Sequence, residues 1–289
     1  MILYIKHINF AYMRLIDEIT AFLEDNGFEN SIQQREGSDV ICVKVNTAQS
    51  EKLILPIEIT ATSAAEAETE SWKAHEIIRS ISDSTDAPIV ITEDRWHSQA
   101  AMMQARLLAH LNRFTPVFAR NCRIAKIDKT QAEDFLSRNH SYGDAACRYR
   151  YGMFYREELI AVATFSNARR WIKEGKEIRS YEWTRYASIP HMRISGGMGK
   201  MLKTFIREIQ PDDIMSYADL EWSSGEVYRS LGFTLESSKE PVTFILDKTG
   251  WKRVPLRPGM NAGNEGKKEI FYFQNFGSNK YRLKLTDYK

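Results

Sequence analysis

The sequence predicts a protein of the mixed α/β (α+β) class with more than one domain. The chain has 289 residues, which is enough for two domains of ordinary size. Segments rich in β-branched residues alternate with segments of helical periodicity. Residues 1–120 hold 11 Lys and Arg against 17 Asp and Glu, whereas the remainder holds 29 against 21. This asymmetry favours two domains and would put a polyanionic partner on the second.

The composition argues against several classes of protein. It contains 43% apolar and 27% charged residues, and no apolar run reaches the length of a membrane span. Arg14, Asp17 and Glu18 interrupt the region where a signal peptide needs an apolar core. Three widely spaced cysteines suit a reducing compartment and match neither a disulfide framework nor a metal site. We therefore expect a cytoplasmic protein with no membrane partner and no bound metal.

The first domain is predicted to span residues 1–118 as a small acidic α/β unit. Apolar residues at helical spacing mark a helix over 11–25, which Gly27 ends. Ser63 precedes an Ala- and Glu-rich run that is typical of a second helix. The further predicted elements are strands 39–46, 53–60 and 87–92, and helices 63–81 and 97–111.

This half resembles PD-(D/E)xK nuclease-like folds. The resemblance rests on Asp39 at the start of one strand and Glu58 on the next, but Thr60 stands where the motif needs lysine. Glu93 and Asp94 follow a buried strand and are interpreted as polar loop residues. The missing lysine and the negative charge favour a structural or inactive domain over an active nuclease.

The second domain is predicted to span residues 119–250, followed by a basic extension over 251–289. Thr130 and Glu133 match a capping box at the start of a helix, and two strands meet at a tight turn of Arg156 and Glu157. The order is extended segment 117–127, helix 130–140, strands 148–156, 158–166 and 180–188, helix 199–209, strand 213–219, helix 225–233 and strand 242–246. The extension is expected to end in a hairpin of 269–273 and 280–285.

Residues 193–200 read "RISGGMGK" and lie between a predicted strand and a predicted helix. Met201 excludes a P-loop, and Leu202 excludes the dinucleotide-binding pattern. The first N–H groups of a helix have no internal partner, and glycines let a phosphate approach them closely. A turn without a ligand is the alternative. The candidate phosphate-binding residues are Arg193, Gly196, Gly197, Gly199 and Lys200.

The segment that follows, "SYADLEWSSGEVYRSLGF" over 216–233, makes the resemblance specific. Together with the glycine loop it resembles the GNAT acyltransferase superfamily. The resemblance implies that the loop holds the pyrophosphate of an acyl-CoA such as acetyl-CoA. Arg193 departs from the family pattern, because it stands four residues before Gly197 where three are usual.

Four further matches are similar to a phage and mobile-element branch that includes Mom-type DNA-modification proteins. They are Asn139-His140, Glu182 to Arg185, Gly196 to Lys200 and Ser216 to Phe233. Mom-type proteins transfer a small group to the exocyclic amine of adenine in DNA. The similarity therefore implies a nucleobase in DNA as one acceptor.

The same resemblance implies roles for four candidate catalytic residues. Tyr228 is the residue that the family pattern offers as general acid, and Glu182 and Asp219 are both candidates for the base. His140 follows a helix end near the expected acceptor cleft. Each has a structural alternative: Tyr228 as a packing residue, Glu182 paired with a basic residue such as Arg185, Asp219 as a helix cap and His140 in a structural role.

Residues 169–193 suggest nucleic-acid contact, because they carry seven Lys and Arg against three Glu. Trp171, Tyr181, Trp183 and Tyr186 lie among these charges and could stack on exposed bases. The alternative is a strand with core aromatic residues and a solvated charged loop. The candidate contacts are Arg169, Arg170, Trp171 and Arg185.

The function predicted from the sequence is acyl transfer from a CoA-type donor to an amine. The acceptor would be a nucleobase in DNA, or a small molecule or peptide. A GNAT-like fold that only binds nucleic acid is the remaining alternative. The sequence leaves the oligomeric state open.

Overall fold

The computed structural model describes residues 14–34, 40–82, 87–173, 175–259 and 269–286. Its helices are α1 (Leu15–Asp25), α2 (Ala64–Ser82), α3 (Glu93–Ser98), α4 (Ala100–His110), α5 (Lys129–Asn139), α6 (Gly197–Ile209) and α7 (Glu226–Ser230). Its strands are β1 (Asn30–Gln34), β2 (Ile41–Asn46), β3 (Glu51–Ile57), β4 (Ile89–Thr92), β5 (Thr115–Phe118), β6 (Arg123–Lys126), β7 (Tyr149–Tyr155), β8 (Glu158–Phe165), β9 (Arg169–Lys173), β10 (Lys176–Ser188), β11 (Met192–Ser195), β12 (Asp213–Asp219), β13 (Thr234–Lys239), β14 (Thr243–Asp247), β15 (Val254–Pro255), β16 (Ile270–Gln274) and β17 (Ser278–Lys284). The predicted mixed α/β class is confirmed. No helix within the described ranges is both long and apolar enough to cross a membrane.

The chain forms two compact units, and each is made of two separate stretches of sequence. Unit 1 comprises Met1–Ala100 and Thr243–Gln274, and unit 2 comprises Ala101–Val242 and Asn275–Lys289. The predicted segments 1–118, 119–250 and 251–289 therefore need correction. Residues 243–274 leave the second half of the chain and complete unit 1, because their apolar side chains are buried there.

Unit 1 contains a four-stranded sheet in the order β1-β2-β3-β4. The first three strands are antiparallel neighbours, and α2 is the crossover that makes β3 and β4 parallel. α1 buries Leu15, Ile19 and Leu23, which belong to the apolar stripe that predicted the helix. The order α-β-β-β-α-β adds β1 to the predicted elements. Asp39 lies outside the described residues.

The returning segment of unit 1 forms a second sheet in the order β15-β14-β16. Phe271, Phe273 and Leu246 pack there against Ile59, which follows β3. Two ion pairs join this segment to the start of α3: Lys248 with Glu93 at 3.3 Å, and Arg253 with Asp94. Glu93 and Asp94 are therefore buried helical residues rather than the polar loop residues expected from the sequence, because each has a cation that compensates its desolvation.

Unit 2 is built on a mixed sheet in the order β13-β17-β12-β10-β8-β7-β6, with β9 paired to β10. Neighbouring strands are antiparallel except β10 and β12, which are parallel and connected through α6. Phe205 of α6 stacks on Phe165 of β8, with ring centroids 3.9 Å apart. This contact lies in the apolar core of unit 2, where Trp183 and Tyr281 are also buried.

The predicted terminal hairpin is wrong. β16 pairs with β14 in unit 1, whereas β17 inserts between β12 and β13 in unit 2. The two strands are only three residues apart, but Phe273 and Tyr281 are buried in different cores. The strand predicted at 242–246 likewise belongs to unit 1, as β14.

Local patterns predicted most other elements of unit 2. Arg156 and Glu157 both have positive φ, as a two-residue hairpin turn requires, and β12 matches its predicted bounds. The capping box of α5 exists, but Asp128 and Gln131 form it rather than Thr130 and Glu133. The helix begins earlier than predicted because Asp128 accepts a hydrogen bond from the Gln131 N–H at 2.8 Å.

Candidate functional site

The parallel strands β10 and β12 separate part-way along their length. Their pairing runs from Ser180 opposite Asp213 to Glu182 opposite Met215, and no later pair occurs among the described residues. Beyond this point β10 pairs with β8, across a register shift between Trp183 and Arg185. The hydroxyl of Ser216 lies 3.0 Å from the carbonyl oxygen of Trp183, where the strands part. The result is a wedge whose walls include the inner edges of two strands.

A cavity of about 650 Å³ occupies this wedge. Both strands line it with consecutive residues, 182–188 of β10 and 216–219 of β12. Asn139, His140, Ser141 and Tyr142 contribute from the end of α5 and the loop after it. The volume lies in the range of ordinary small-molecule sites. A site bounded by strand edges can hydrogen-bond an extended ligand that carries amide groups.

The N-terminus of α6 borders the same cavity through Met198. Gly196 precedes the helix in the left-handed region, at φ 77°. A Cβ at Gly197 would lie 2.9 Å from both Ile194 Cγ2 and the Tyr186 hydroxyl, so this glycine is needed for packing within the chain. The first-turn N–H groups of a 13-residue helix are thereby presented beside the cavity.

The two cations predicted to bind phosphate make other contacts. The ammonium of Lys200 donates to the carbonyl oxygens of Ala119 and Cys122, and so ties α6 to the 3₁₀ turn at 119–121. Arg193 is exposed on β11, with its guanidinium 5.2 Å from the centre of the Phe114 ring. The glycines thus lie at the helix terminus as predicted, whereas the Lys200 ammonium binds backbone carbonyl groups.

Tyr228 of α7 lines the cavity. Its hydroxyl is 2.9 Å from that of Ser216, and its ring stacks on Tyr281 with centroids 5.4 Å apart. Burial raises the pKa of Tyr228 above its ordinary value. Like an ordinary phenol, it is protonated at neutral pH and has a proton to donate.

Glu182 and Asp219 also line the cavity, but their surroundings differ. Asp219 Oδ2 accepts a hydrogen bond from the Tyr142 hydroxyl at 2.9 Å, and Oδ1 accepts one from the Glu221 N–H at 3.0 Å. Glu182 Oε2 lies 3.7 Å from a guanidinium nitrogen of Arg169, which is an ion pair without a short hydrogen bond. The carboxylate of Asp219 is therefore held on both oxygens, while that of Glu182 is held loosely.

The loop after α5 bridges the two walls of the wedge. Arg185 of β10 donates through Nε to the Gly143 carbonyl at 3.0 Å, and Tyr142 reaches Asp219 of β12. His140 accepts the Tyr142 N–H at Nδ1, 3.1 Å away, so a neutral His140 carries its proton on Nε2. His140 lines the cavity, and in its neutral form the ring nitrogen left to donate is Nε2.

Sequence reasoning missed Tyr142 and Arg106, and it named Ser216 and Trp222 only as part of the motif over 216–233. Arg106 lies 4.4 Å from the centre of the Trp222 ring and donates to the Trp222 carbonyl at 3.2 Å, which builds a further wall of the cavity. A tyrosine and a glycine directly after a helix end could have indicated a structured loop. No local sequence pattern indicated that Arg106 would line the cavity, because it lies 116 residues from the carbonyl that it contacts.

The residues predicted to contact nucleic acid fall into two places. Arg169, Arg170 and Trp171 lie on β9, whereas Arg185 lines the cavity and its pKa is lowered by burial. Tyr181 and Trp183 are buried in the core of unit 2, which corrects their interpretation as exposed aromatic residues, although Trp183 also contributes to the cavity wall.

In unit 1, the carboxylate of Glu58 lies 3.3 Å from Arg14, and the Thr60 hydroxyl donates to Glu70 at 3.0 Å. Within the described ranges, no three His, Cys, Asp or Glu side chains come together as a metal site.

No family model matches the sequence, and no curated protein matches it. Among solved structures, the chain is similar to a GNAT family acetyltransferase from Elizabethkingia anophelis with acetyl-CoA bound, at 13% identity and a TM-score of 0.36; 57% of this chain and 99% of that one are covered. It is also similar to the ribosomal-protein-S18-alanine N-acetyltransferase of Escherichia coli, at 11% identity and a TM-score of 0.35, over 58% of this chain and 96% of that one. It is similar as well to a Bacillus subtilis acetyltransferase in complex with CoA, at 13% identity and a TM-score of 0.33, over 57% of this chain and 99% of that one. Similarity at this level assigns neither an activity nor a ligand to this chain.

Proposed function

We propose that unit 2 is a GNAT-type transferase that moves an acyl group from an acyl-CoA, such as acetyl-CoA, to an amine. One observation carries the proposal: the open edges of β10 and β12, the N-terminus of α6 and the phenol of Tyr228 border a single cavity. A thioester donor with a pyrophosphate and an amide-containing arm needs each of these three features.

The donor fits the cavity through backbone groups. An extended arm can pair with the inner edge of β10 over 184–188, as an added strand would. The N–H groups of the first turn of α6, after Gly196, suit a pyrophosphate because they combine unpartnered donors with the positive end of the helix dipole. This binding mode does not require the ammonium of Lys200.

The chemistry requires one base and one acid. The acceptor nitrogen attacks the thioester carbonyl carbon, so that the C–N bond forms, and the C–S bond then breaks. The nitrogen loses its proton to a carboxylate, and the departing thiolate takes a proton from Tyr228. The Tyr228 phenol carries its proton at neutral pH, and the contact with Ser216 orients its hydroxyl.

Between the two candidate carboxylates, Glu182 suits the base better. Both oxygens of Asp219 already accept hydrogen bonds, one from the Tyr142 hydroxyl and one from the Glu221 N–H, which fix the carboxylate in place. Glu182 has lone pairs left to accept a proton from the acceptor amine. We therefore assign proton abstraction to Glu182, and positioning of the loop after α5 to Asp219.

Isothermal titration calorimetry with CoA and acetyl-CoA tests donor binding. Met198→Glu puts a carboxylate at the first turn of α6, where it should repel the pyrophosphate and weaken binding at least tenfold. Met198→Gln has nearly the same size without the charge and is the matched control. Equal affinities for the two variants would exclude this terminus as the pyrophosphate site, and no binding at millimolar CoA would overturn the proposal.

Three alternatives differ in what the protein acylates or binds, and each predicts a different product or ligand. A nucleobase in DNA, as in Mom-type proteins, predicts an acylated nucleoside in DNA from cells that produce the protein. Unmodified DNA together with acylation of small amines or peptides would favour an ordinary N-acetyltransferase. A GNAT-like protein that only holds nucleic acid would bind an oligonucleotide but not CoA.

A further inference from the structure

The strand β9 pairs with the first half of β10 at the margin of the unit 2 sheet. The paired stretch runs from Arg169 opposite Ser180 to Lys173 opposite Lys176. Four of the five β9 residues are exposed, including Trp171 at 37% and Ile172 at 77%. Residues 169–179 carry five Lys and Arg against two Glu. This strand pair therefore combines exposed apolar side chains with a net positive charge.

The two faces of this strand pair differ in charge. Alternate residues share a face, so Arg169, Trp171 and Lys173 lie on one face with Lys176 opposite Lys173. We call these four residues the arm face. It carries three cations, and the next carboxylate along the same face of β10 is that of Glu182. The other face holds Arg170 paired with Glu177 at 2.9 Å, Arg179 paired with Asp212 at 3.8 Å, and Ile172.

The arm face leads to the candidate cavity. Glu182 continues the alternation of Lys176, Ile178 and Ser180 along β10, and its carboxylate contacts Arg169. Glu182 is also a wall residue of the cavity. Ile178 and Ser180 lie between Lys176 and Glu182 on the same face but are buried. The arm face therefore reaches the proposed base through the guanidinium of Arg169.

We infer that the arm face binds single-stranded nucleic acid and presents an unpaired base to the cavity. Cations neutralise phosphate groups, and an aromatic side chain stacks on bases of any sequence. An exocyclic amine can be acylated only when its base is out of the helical stack. The delivery step rests on the proposed transferase function, whereas the binding step does not.

Fluorescence anisotropy with a labelled single-stranded oligonucleotide of about 12 nucleotides tests the binding step on the full chain, without CoA. Trp171→Ala should weaken binding about tenfold, as expected for the loss of one stacked base. The double variant Lys173→Gln/Lys176→Gln should lower the slope of log K against log salt by about 1.4, from two lost phosphate contacts. Ile172→Ala and Arg170→Gln, on the other face, are the matched controls and should change affinity less than twofold.

Several results would overturn the inference. Equal losses of oligonucleotide affinity from the substitutions on the two faces would show that the arm face is not the binding site. Equal affinity for duplex and single strand would exclude base stacking. Tighter association with anionic phospholipid vesicles than with the oligonucleotide would assign the face to a membrane surface, and dimerisation that Trp171→Ala abolishes would assign it to a second copy of this chain.

Calorimetry with CoA on the same variants keeps the two proposals distinguishable. Unchanged CoA affinity with lost oligonucleotide affinity is the expected result, because the arm face is not part of the donor site. Oligonucleotide binding by a chain that fails to bind CoA would leave the arm face in place and remove the transferase proposal.

Discussion

Tyr142 and Asp219 are joined by a hydrogen bond of 2.9 Å from the tyrosine hydroxyl to Oδ2, although 77 residues separate them. Tyr142 lies in the loop after α5, and Asp219 ends β12. The same loop receives a hydrogen bond from Arg185 of β10. The two strands that separate at the cavity are therefore reconnected through one loop, and this loop forms a wall of the cavity.

Tyr142→Phe should loosen this wall without affecting the donor. Tyr142 is 44% exposed, so the lost bond should contribute about 1 kcal/mol. We expect the KM for the amine acceptor to rise about fivefold, while the Kd for CoA stays unchanged. Steady-state kinetics and calorimetry on the same preparation measure both quantities. A weakened CoA affinity with an unchanged acceptor KM would contradict this role.

Glu182→Gln should lower kcat by about a hundredfold or more, because it removes the proposed base while preserving shape. Asp219→Asn should mainly raise the acceptor KM, since it weakens the contact with Tyr142. Arg169→Gln is the control that removes the ion pair of Glu182 but keeps its carboxylate. A large loss of kcat in Asp219→Asn alone would transfer the role of base to Asp219.

Gly197→Ala should destabilise unit 2, and Gly199→Ala should not. A Cβ at Gly197 meets two atoms at 2.9 Å, whereas one at Gly199 meets only the end of Leu231 at 3.2 Å. Alanine also stabilises a helix relative to glycine by up to about 1 kcal/mol. Thermal unfolding of the two variants compares them directly. A lower Tm in Gly199→Ala than in Gly197→Ala would be inconsistent with this packing.

The protein should lose stability in strong alkali through its buried tyrosines. Burial raises the pKa of Tyr228 and Tyr186 above the unfolded value of about 10. Their stabilising contribution is fully present below that pH and is lost as the pH rises toward the folded-state pKa values. Urea unfolding at pH 8 and at about pH 11 should show the loss, and Tyr228→Phe should reduce it. Tyr142→Phe, at an exposed tyrosine, is the control. An equal reduction of the alkaline stability loss in both variants would show that burial of Tyr228 is not the cause of that loss.

Asp94→Ala should destabilise unit 1 strongly. Asp94 is 1% exposed, and both its oxygens contact the guanidinium of Arg253, which also lies 4.3 Å from the centre of the Phe273 ring. Removing one partner of a buried ion pair costs about 3–5 kcal/mol, because the other charge is left buried. Asp94→Leu/Arg253→Met removes both charges and should cost less. Urea unfolding measures the free energy of unfolding of both variants, and we expect the single variant to be the less stable. A less stable double variant would show that the loss in Asp94→Ala does not come from leaving the Arg253 charge buried without a partner.

Local sequence predicted the elements whose signals lie within a few residues. The apolar stripe of α1, the turn at Arg156 and Glu157, and the bounds of β12 follow from periodicity and turn chemistry. Predictions failed where two nearby residues could both cap the same helix. At the start of α5, Asp128 caps the helix rather than Thr130. β9 was not predicted as a strand because its side chains lack the apolar alternation of a half-buried strand.

The sequence by itself determined the mixed α/β class and the glycine-rich start of α6, and it proposed Glu182, Asp219, Tyr228 and His140, which all line one cavity. Only the tertiary structure decided that β10 and β12 separate beyond Glu182, that Tyr142 holds Asp219, and that Lys200 binds carbonyl groups instead of pointing to a ligand. It also decided that residues 243–274 complete unit 1. The physical reason is that strand pairing and burial join residues that are distant in sequence. A local pattern shows which side chains are apolar enough to be buried, but it does not show which part of the chain covers them.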